Sequence, residues 1–293
     1  MTDAKPFLPG FEERWSDARG VRLRWFEGGS GPTVMLIHGY GGAASNWTLV
    51  APRLLERYRV IVPDLPGHGG SSPLPAPPER VDPYAERLAG LPSEPAVLVG
   101  HSLGAVVALR LAVRRPELVR GLVLAGAAGI GSSTRSAERT LTFISVVQPG
   151  KRIARLWRPF ARNAFLRKLA FGSVSVIDPR GLDPRAAAGF LAGSALHTDI
   201  RSAGDALVRS DPRVDLERVT SPTLVLHGAR DVQVPMRDAF EYARRMRAPL
   251  RVIADCGHLL IGERPEAVVD AVFGFLDRIG HVDKLPRKPE LVR

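Results

Sequence analysis

The sequence predicts an α/β protein with a doubly wound, mostly parallel sheet of eight strands and an inserted helical cap. Short runs rich in Val, Ile and Leu alternate along the chain with stretches of helical periodicity, which is the pattern of a sheet covered by helices. Each run is continuously apolar, as expected of strands that are buried on both faces. One middle segment lacks such a run, and this interruption predicts the cap.

The predicted elements follow in chain order. Two short strands, Glu13–Ser16 and Val21–Phe26, are expected to form an antiparallel hairpin at the sheet edge. Six apolar runs are predicted as buried strands: Thr33–His38, Arg59–Pro63, Ala96–Gly100, Gly121–Ala125, Thr223–His227 and Leu250–Ala254. Five periodic stretches are predicted as helices: Asn46–Leu55, Glu79–Leu91, Leu103–Val113, Arg237–Arg247 and Pro265–Ile279.

The segment of residues 131–213 interrupts this alternation of strands and helices. It has helical patterns but no convincing strand, and its prolines include Pro159, which is expected to break or kink any helix through it. A glycine-rich stretch precedes the segment and a buried strand follows it. We therefore predict an α/β core of residues 1–130 and 214–293, with residues 131–213 as a helical cap, or lid.

The positive charge of the chain is concentrated in the predicted cap. The 293 residues hold 41 Lys and Arg against 30 Asp and Glu, a net charge of +11, and residues 131–213 hold 14 of these cations but only 6 of the acids. From Lys151 to Lys168, seven cations and no acid alternate with apolar residues at helical spacing. This pattern predicts a helical pair with an apolar face packed inward and a solvated basic face outside. Peripheral contact with anionic membrane lipid is the alternative, whereas no motif indicates nucleic-acid binding.

Composition and cysteine content exclude several classes of protein. Apolar residues make up 45% and charged residues 24% of the chain, which excludes disordered, collagen-like and coiled-coil proteins. The single cysteine, Cys256, cannot form an internal disulfide. The sequence shows neither a signal-peptide pattern nor an apolar run of membrane-spanning length. These features together predict a cytoplasmic protein.

Residues 100–104 (GHSLG) match the G-x-S-x-G pattern of a nucleophile elbow. The pattern stands between a predicted buried strand and a predicted apolar helix, so Ser102 falls at a sharp strand-to-helix turn. Small residues on both sides relieve the crowding of such a turn. The turn also places the free N–H groups of a helix start beside the serine hydroxyl. We therefore predict that Ser102 is a nucleophile.

A serine nucleophile needs a base, and the base needs a carboxylate that orients it. His258 follows the last predicted strand, at the carboxyl edge of the sheet where Ser102 also lies. Asp231 follows the strand Thr223–His227, whereas the loop after the preceding strand contains no carboxylate. Asp255 is too close to His258 in sequence to be the expected partner. The predicted triad is thus Ser102, Asp231 and His258.

Four motifs in this order resemble those of the Ser-nucleophile α/β-hydrolases of the capped esterase/lipase group. They are residues 38–42 (HGYGG), 64–71 (DLPGHGGS), 100–104 (GHSLG), and 257–258 (GH) followed by 263–266 (ERPE). The resemblance covers nearly the whole chain outside the predicted cap and implies the α/β-hydrolase fold. It also implies that the backbone N–H groups of Tyr40 and Leu103 form the oxyanion hole, and the glycines beside Tyr40 permit the close approach this requires.

Further residues are candidates for binding the substrate: His38, Gly39, His101 and Trp157. Aromatic residues of the predicted cap and His197 could also line a pocket, although their helical spacing is more typical of a core. Histidines, the cysteine and the carboxylates show no metal-ligand spacing. We expect neither a metal nor another cofactor.

The function expected from these residues is a serine hydrolase that cleaves a carboxylic ester, a lactone or a thioester through an acyl-enzyme. Its partner would be a small-molecule acyl substrate of small to medium size and apolar character. A carbon–carbon bond hydrolase of ring-cleavage products uses the same triad and is the main alternative. Acyl transfer to an alcohol and a non-catalytic, ligand-binding member of the fold are the others. The elbow serine speaks against dehalogenases and epoxide hydrolases, which have Asp at that position.

Overall fold

The computed structural model describes residues 8–131, 157–172, 176–194 and 196–281. Eight strands form one sheet: β1 (Glu12–Asp17), β2 (Arg22–Gly28), β3 (Thr33–Ile37), β4 (Arg59–Pro63), β5 (Ala96–His101), β6 (Val119–Ala125), β7 (Thr223–Gly228) and β8 (Leu250–Ile253). Their order across the sheet is β1-β2-β4-β3-β5-β6-β7-β8. The β1–β2 and β2–β4 pairs are antiparallel and all other neighbours are parallel. The predicted eight-stranded, mostly parallel α/β fold, with its antiparallel edge, is confirmed.

The sheet is buried on both faces because its central strands are apolar at every position. Along β3, Val34 and Leu36 belong to one hydrophobic core, while Met35 and Ile37 belong to the other. Successive side chains of a strand point to opposite faces, so a continuous apolar run supplies both cores at once. The helices pack against these two faces.

The described helices are α1 (Asp82–Leu88), α2 (Leu103–Arg114), α3 (Trp157–Arg162), α4 (Ala164–Phe171), α5 (Pro184–Ser194), α6 (Arg201–Arg209), α7 (Met236–Met246), α8 (Leu260–Glu263) and α9 (Pro265–Arg278). Within the described ranges, no helix combines the length and the apolar character that crossing a bilayer requires. The predictions for α2, α7 and α9 agree with the structure to within one residue at each end.

Two predicted helices differ from the observed elements because of proline. The stretch Asn46–Leu55 forms two short 3₁₀ helices, Ala44–Trp47 and Ala51–Leu54, instead of one α-helix. Pro52 lies at the start of the second one, since it has no N–H to continue an α-helical ladder. For the same reason α1 begins only at Asp82, directly before Pro83, rather than at the predicted Glu79.

Helices α3 to α6 lie between β6 and β7, within the predicted cap; the division into core and cap stays a prediction. The expected break at Pro159 is wrong. The described part of α3, Trp157–Arg162, is helical on both sides of Pro159. The break falls instead at Asn163, whose Oδ1 accepts hydrogen bonds from the N–H groups of Phe165 (2.9 Å) and Leu166 (3.1 Å) and so caps α4.

The orientation of α4 contradicts the predicted arrangement of an inward apolar face and an outward basic face. Phe165 and Leu169 are each 61% exposed, while Arg167 is 7% exposed. The buried guanidinium donates hydrogen bonds to the carbonyl oxygens of Ala161 (2.8 Å) and Pro179 (3.3 Å). Backbone carbonyls thus satisfy the buried guanidinium on one side of α4, while the two apolar side chains lie on the exposed side. The basic residues from Lys151 to Arg155 lie outside the described residues.

Candidate active site

Ser102 occupies the sharp turn between β5 and α2 and has the left-handed backbone angles φ 54° and ψ −116°. A non-glycine residue adopts this conformation only where the surrounding structure holds it. Gly104 is one of the residues that hold this turn. A Cβ added at Gly104 would lie 2.2 Å from the carbonyl oxygen of Ile37, so there is no room for a side chain. The glycine therefore lets α2 start directly against β3, and the turn presents the serine hydroxyl above the sheet edge. The side chain of Ser102 lies in a nearly closed site, with 8% of the residue exposed.

The three side chains of the predicted triad meet at the carboxyl edge of the sheet. His258 Nε2 lies 3.1 Å from the hydroxyl oxygen of Ser102, and His258 Nδ1 lies 2.8 Å from Asp231 Oδ2. Asp231 stands in the loop after β7 and His258 in the loop after β8, as expected for residues at the ends of parallel strands. Ser102 and His258 are 156 positions apart in the chain, so only the parallel sheet brings them together.

The hydrogen bonds of Asp231 determine which nitrogen of His258 carries the ring proton. Its Oδ1 accepts from the N–H groups of Gln233 (2.8 Å) and Val234 (2.9 Å), and its Oδ2 accepts from His258 Nδ1. Burial would raise the pKa of Asp231, but the hydrogen bond and charge of His258 and the Val234 N–H together hold this pKa below its usual value. An ionised Asp231 keeps the proton of His258 on Nδ1, which leaves Nε2 as the acceptor nitrogen beside the Ser102 hydroxyl.

The loop after β3 packs directly against the elbow. A Cβ added to Gly39 would lie 3.1 Å from the Cβ of Ser102 and 3.1 Å from His101 Nδ1, so this position leaves little room for a side chain. Tyr40 follows in the same loop. Leu103 is the first residue of α2, and its N–H therefore has no acceptor within the helix. The arrangement leaves the assignment of the Tyr40 and Leu103 amides to an oxyanion hole as a prediction.

His38 and His101, predicted to bind substrate, both make hydrogen bonds that hold loops in place, and for His101 substrate binding stays a prediction. The His38 ring is fully buried: its Nδ1 donates to the Gly39 carbonyl (2.8 Å) and its Nε2 accepts from the Leu65 N–H (2.9 Å). His101 Nε2 donates to the carbonyl oxygen of His258 (2.9 Å). Burial lowers the pKa of both histidines to about 3, so both are neutral. Neither nitrogen of His38 is left for a substrate, which is why that prediction is wrong.

Trp157, the remaining substrate-binding candidate, is the first described residue of α3, and nothing of its side chain is described. Phe143, one of the aromatic residues of the predicted cap, also lies outside them. Phe190 is described and packs its ring against Phe171, with the ring centroids 6.2 Å apart. This aromatic pair belongs to the core beneath the segment rather than to an open pocket, as its helical spacing suggests.

His197, predicted only as a possible pocket residue, and Glu263, for which no role was predicted, tie the 131–213 segment to the site. His197 Nδ1 accepts from the Gly69 N–H (3.0 Å) and His197 Nε2 donates to the Gly41 carbonyl (2.8 Å), so one ring joins two loops. Glu263 accepts from the Gly257 N–H (3.2 Å) and from the Ile177 N–H (2.9 Å). Burial raises the pKa of Glu263. In the sequence, the only feature that drew attention to Glu263 was its position in the motif at 263–266.

One further histidine, His227, and the single cysteine, Cys256, are buried near the site. His227 Nε2 lies 4.0 Å from Asp231 Oδ2, and burial lowers the pKa of His227. Burial also raises the pKa of Cys256 to about 12, which keeps the thiol protonated and unreactive. Among the described residues, no group of three or more His, Cys, Asp and Glu side chains could hold a metal ion.

The fold and the site together place the protein in a known class: the chain belongs to the alpha/beta hydrolase family. The model of that family matches residues 34–271, which include the strands from β3 to β8 and all three residues of the predicted triad. The resemblance drawn from the four sequence motifs is thereby confirmed. The protein is a hydrolase of this family.

Its relatives include hydrolases that act on different kinds of bond. The chain is 34% identical over 250 residues to the 2-hydroxymuconate semialdehyde hydrolase of Pseudomonas sp. (strain CF600), covering 82% of this chain and 85% of that protein. It is 29% identical over 280 residues to the 2-hydroxy-6-oxo-6-(2'-aminophenyl)hexa-2,4-dienoic acid hydrolase of Metapseudomonas resinovorans, covering 92% of each. Among solved structures, a thermophilic esterase from Thermogutta terrifontis superposes with a TM-score of 0.74 at 25% identity, covering 92% of this chain and 99% of that one.

Proposed function

We propose that the protein is a serine hydrolase that cleaves a carboxylic ester, lactone or thioester through an acyl-enzyme. The observation that carries the proposal is the unbroken chain of hydrogen bonds from Ser102 through His258 to Asp231, built on a strained strand-to-helix turn. This arrangement is suited to transfer a proton from the serine hydroxyl to His258 as the serine attacks a carbonyl carbon.

In the proposed mechanism each proton has a defined place. Ser102 Oγ bonds to the acyl carbon while His258 Nε2 takes the hydroxyl proton, and Asp231 stabilises the resulting imidazolium. The N–H groups of Tyr40 and Leu103 bind the oxyanion, a contribution of about 3–4 kcal/mol per donor. His258 then gives the proton to the leaving alcohol or thiol. Water attacks the acyl-enzyme by the same route in reverse and releases the acid and free Ser102.

The pairing of the buried arginines favours a neutral acyl group. Three arginines of the described part of the chain are buried, and each is engaged away from Ser102. Arg24 pairs with Asp64 (3.5 Å), Arg110 forms a buried ion pair with Asp215, and Arg167 binds backbone carbonyls. A substrate with a carboxylate in the pocket would need such a cation, because burying an unpaired charge is costly. We therefore favour an apolar ester over an anionic substrate.

A second candidate function has its own support. The relatives in Pseudomonas and Metapseudomonas are named as hydrolases of 2-hydroxymuconate semialdehyde and of a hexadienoic acid. The same three side chains would serve to cleave a carbon–carbon bond in a dienoic ring-cleavage product. In that case the acidic group of the substrate would need a cation near Ser102, and the three buried arginines of the described residues are engaged elsewhere.

A parallel assay separates these possibilities. The wild-type protein, Ser102→Ala and the control Ser93→Ala, which changes an exposed serine, are given p-nitrophenyl esters from acetate to laurate, an acyl thioester and 2-hydroxymuconate semialdehyde. We expect ester turnover with an initial burst of nitrophenol, lost in Ser102→Ala and kept in Ser93→Ala. Faster turnover of the semialdehyde would favour carbon–carbon cleavage. Tight binding without turnover would show a non-catalytic member, and ester turnover that survives Ser102→Ala would overturn the assignment of the nucleophile.

A cytoplasmic location is part of the proposal. The chain has one cysteine, which is buried, so the fold depends on no disulfide and suits a reducing compartment. Fractionation of cells that express the full-length protein tests this location.

A further inference from the structure

The outer face of α4 combines two exposed apolar side chains with exposed cations. Phe165 and Leu169, four positions apart on the helix, are each 61% exposed. Residues three or four apart are neighbours on a helix, so the two side chains form one patch, with Lys168 beside it. Arg162, the last residue of α3, is exposed at the turn where α4 begins. We call Phe165, Leu169, Arg162 and Lys168 the α4 patch.

The patch faces outward because the opposite side of α4 is anchored. Arg167 lies about 200° around the helix from Phe165, and its guanidinium is buried against the carbonyls of Ala161, Arg162 and Pro179. Rotating α4 to bury Phe165 would break these bonds and leave the carbonyls without their donor. The exposure of the apolar pair is therefore a consequence of packing on the other side.

The charge next to the patch is of one sign. Residues 139–177 contain no Asp or Glu, and Arg162 and Lys168 form no ion pair with any described residue. Two other exposed aromatic residues of the described chain have a different setting: the ring of Trp15 is covered by Arg22 at 4.2 Å, and Phe240 stands on α7 next to Glu241. Scattered apolar residues are normal on a surface, but an apolar pair within an acid-free basic stretch is not.

We propose that the α4 patch is a docking surface for an anionic lipid bilayer. Arg162 and Lys168 would attract lipid phosphates, and Phe165 and Leu169 would enter the boundary between headgroups and acyl chains. The complementary charge favours this occupant over a second copy of the chain, whose own patch carries the same positive charge. The proposal concerns binding alone and holds whether the substrate is an ester or a dienoic acid.

The test measures sedimentation of the full-length protein with vesicles of phosphatidylcholine alone or mixed with phosphatidylglycerol, at low and high salt. We expect binding only to the anionic vesicles, and its release by salt because the attraction is screened. Phe165→Ser/Leu169→Ser and Arg162→Gln/Lys168→Gln should each weaken binding by about tenfold or more. The matched control Phe240→Ser/Arg244→Gln changes an exposed pair of the same types on α7 and should bind like the wild type.

Equal melting temperatures and equal hydrolytic rates in solution establish that each variant is folded. The proposal is overturned if the wild type does not bind anionic vesicles at low salt, or if the α4 variants bind as well as the α7 control. Absent vesicle binding, together with a wild-type dimer that Phe165→Ser/Leu169→Ser converts to a monomer, would assign the patch to contact between copies instead.

Discussion

Replacing His197 with alanine removes the side chain that joins the 131–213 segment to two loops of the site. The Gly69 N–H is a donor, so His197 Nδ1 must accept, and the ring proton on Nε2 is then given to the Gly41 carbonyl. Only the neutral ring with its proton on Nε2 makes both bonds. Gly41 adjoins Tyr40, whose N–H we propose as an oxyanion donor. The ring is therefore a positioning residue for the oxyanion loop.

The size of the effect follows from burial. His197 is 5% exposed, and in His197→Ala the buried Gly69 N–H loses its acceptor, which costs about 1–3 kcal/mol of unfolding free energy. For a chain of 293 residues, whose entropy of unfolding is about 0.6 kcal/mol/K, that corresponds to a melting temperature lower by roughly 2–5 °C. Complete loss of an oxyanion donor lowers kcat by about 10²–10³-fold. A displaced loop keeps the donor but misaligns it, so we expect a loss in kcat of about tenfold with a smaller change in KM.

The assay compares wild type, His197→Ala and His197→Gln by thermal unfolding and by steady-state hydrolysis of a short p-nitrophenyl ester. The glutamine amide carries an acceptor and a donor at a spacing close to that of the two ring nitrogens, so it should restore most of kcat. A His197→Ala protein that loses stability but keeps the wild-type kcat would refute the positioning role. A glutamine variant no better than alanine would refute the two-bond explanation.

Three other predictions concern stability and reactivity. Burial lowers the pKa of three histidines to about 3 from the usual 6.5: His38, His68 and His101. The unfolded chain takes up these protons first as the pH falls. The contribution of each histidine to the free energy of unfolding is therefore fully present above about pH 6.5 and is about 2 kcal/mol smaller at about pH 5. A melting temperature that does not fall between these two pH values would contradict this prediction. Gly104→Ala forces a Cβ to within 2.2 Å of the Ile37 carbonyl oxygen. We expect this variant to lose about 1–3 kcal/mol of unfolding free energy, measured with urea, and to lose hydrolytic activity. The control Gly90→Ala has open space around the new Cβ and should change neither property. The buried thiol of Cys256 should resist iodoacetamide in the folded protein, so inactivation by this reagent at neutral pH would show that the thiol is accessible.

The sequence alone determined the sheet and the elbow because their signals are local. A buried strand shows itself as a continuous apolar run, and the elbow shows itself as glycines around a serine between a strand and a helix. The order of Ser102, Asp231 and His258 could also be predicted, since the carboxyl ends of parallel strands share one edge of a sheet.

Tertiary structure decided how the 131–213 segment meets this core. Arg167 turned inward and Phe165 outward because carbonyls at the end of α3 and at Pro179 accept the guanidinium, and no helical pattern within α4 contains that information. His38 proved to support a loop because its ring is enclosed by backbone from two different loops. His197 bonds to a carbonyl 156 positions away. Contacts between residues so far apart in the chain depend on how complete helices, strands and loops pack together, and local periodicity and turn chemistry do not encode this packing.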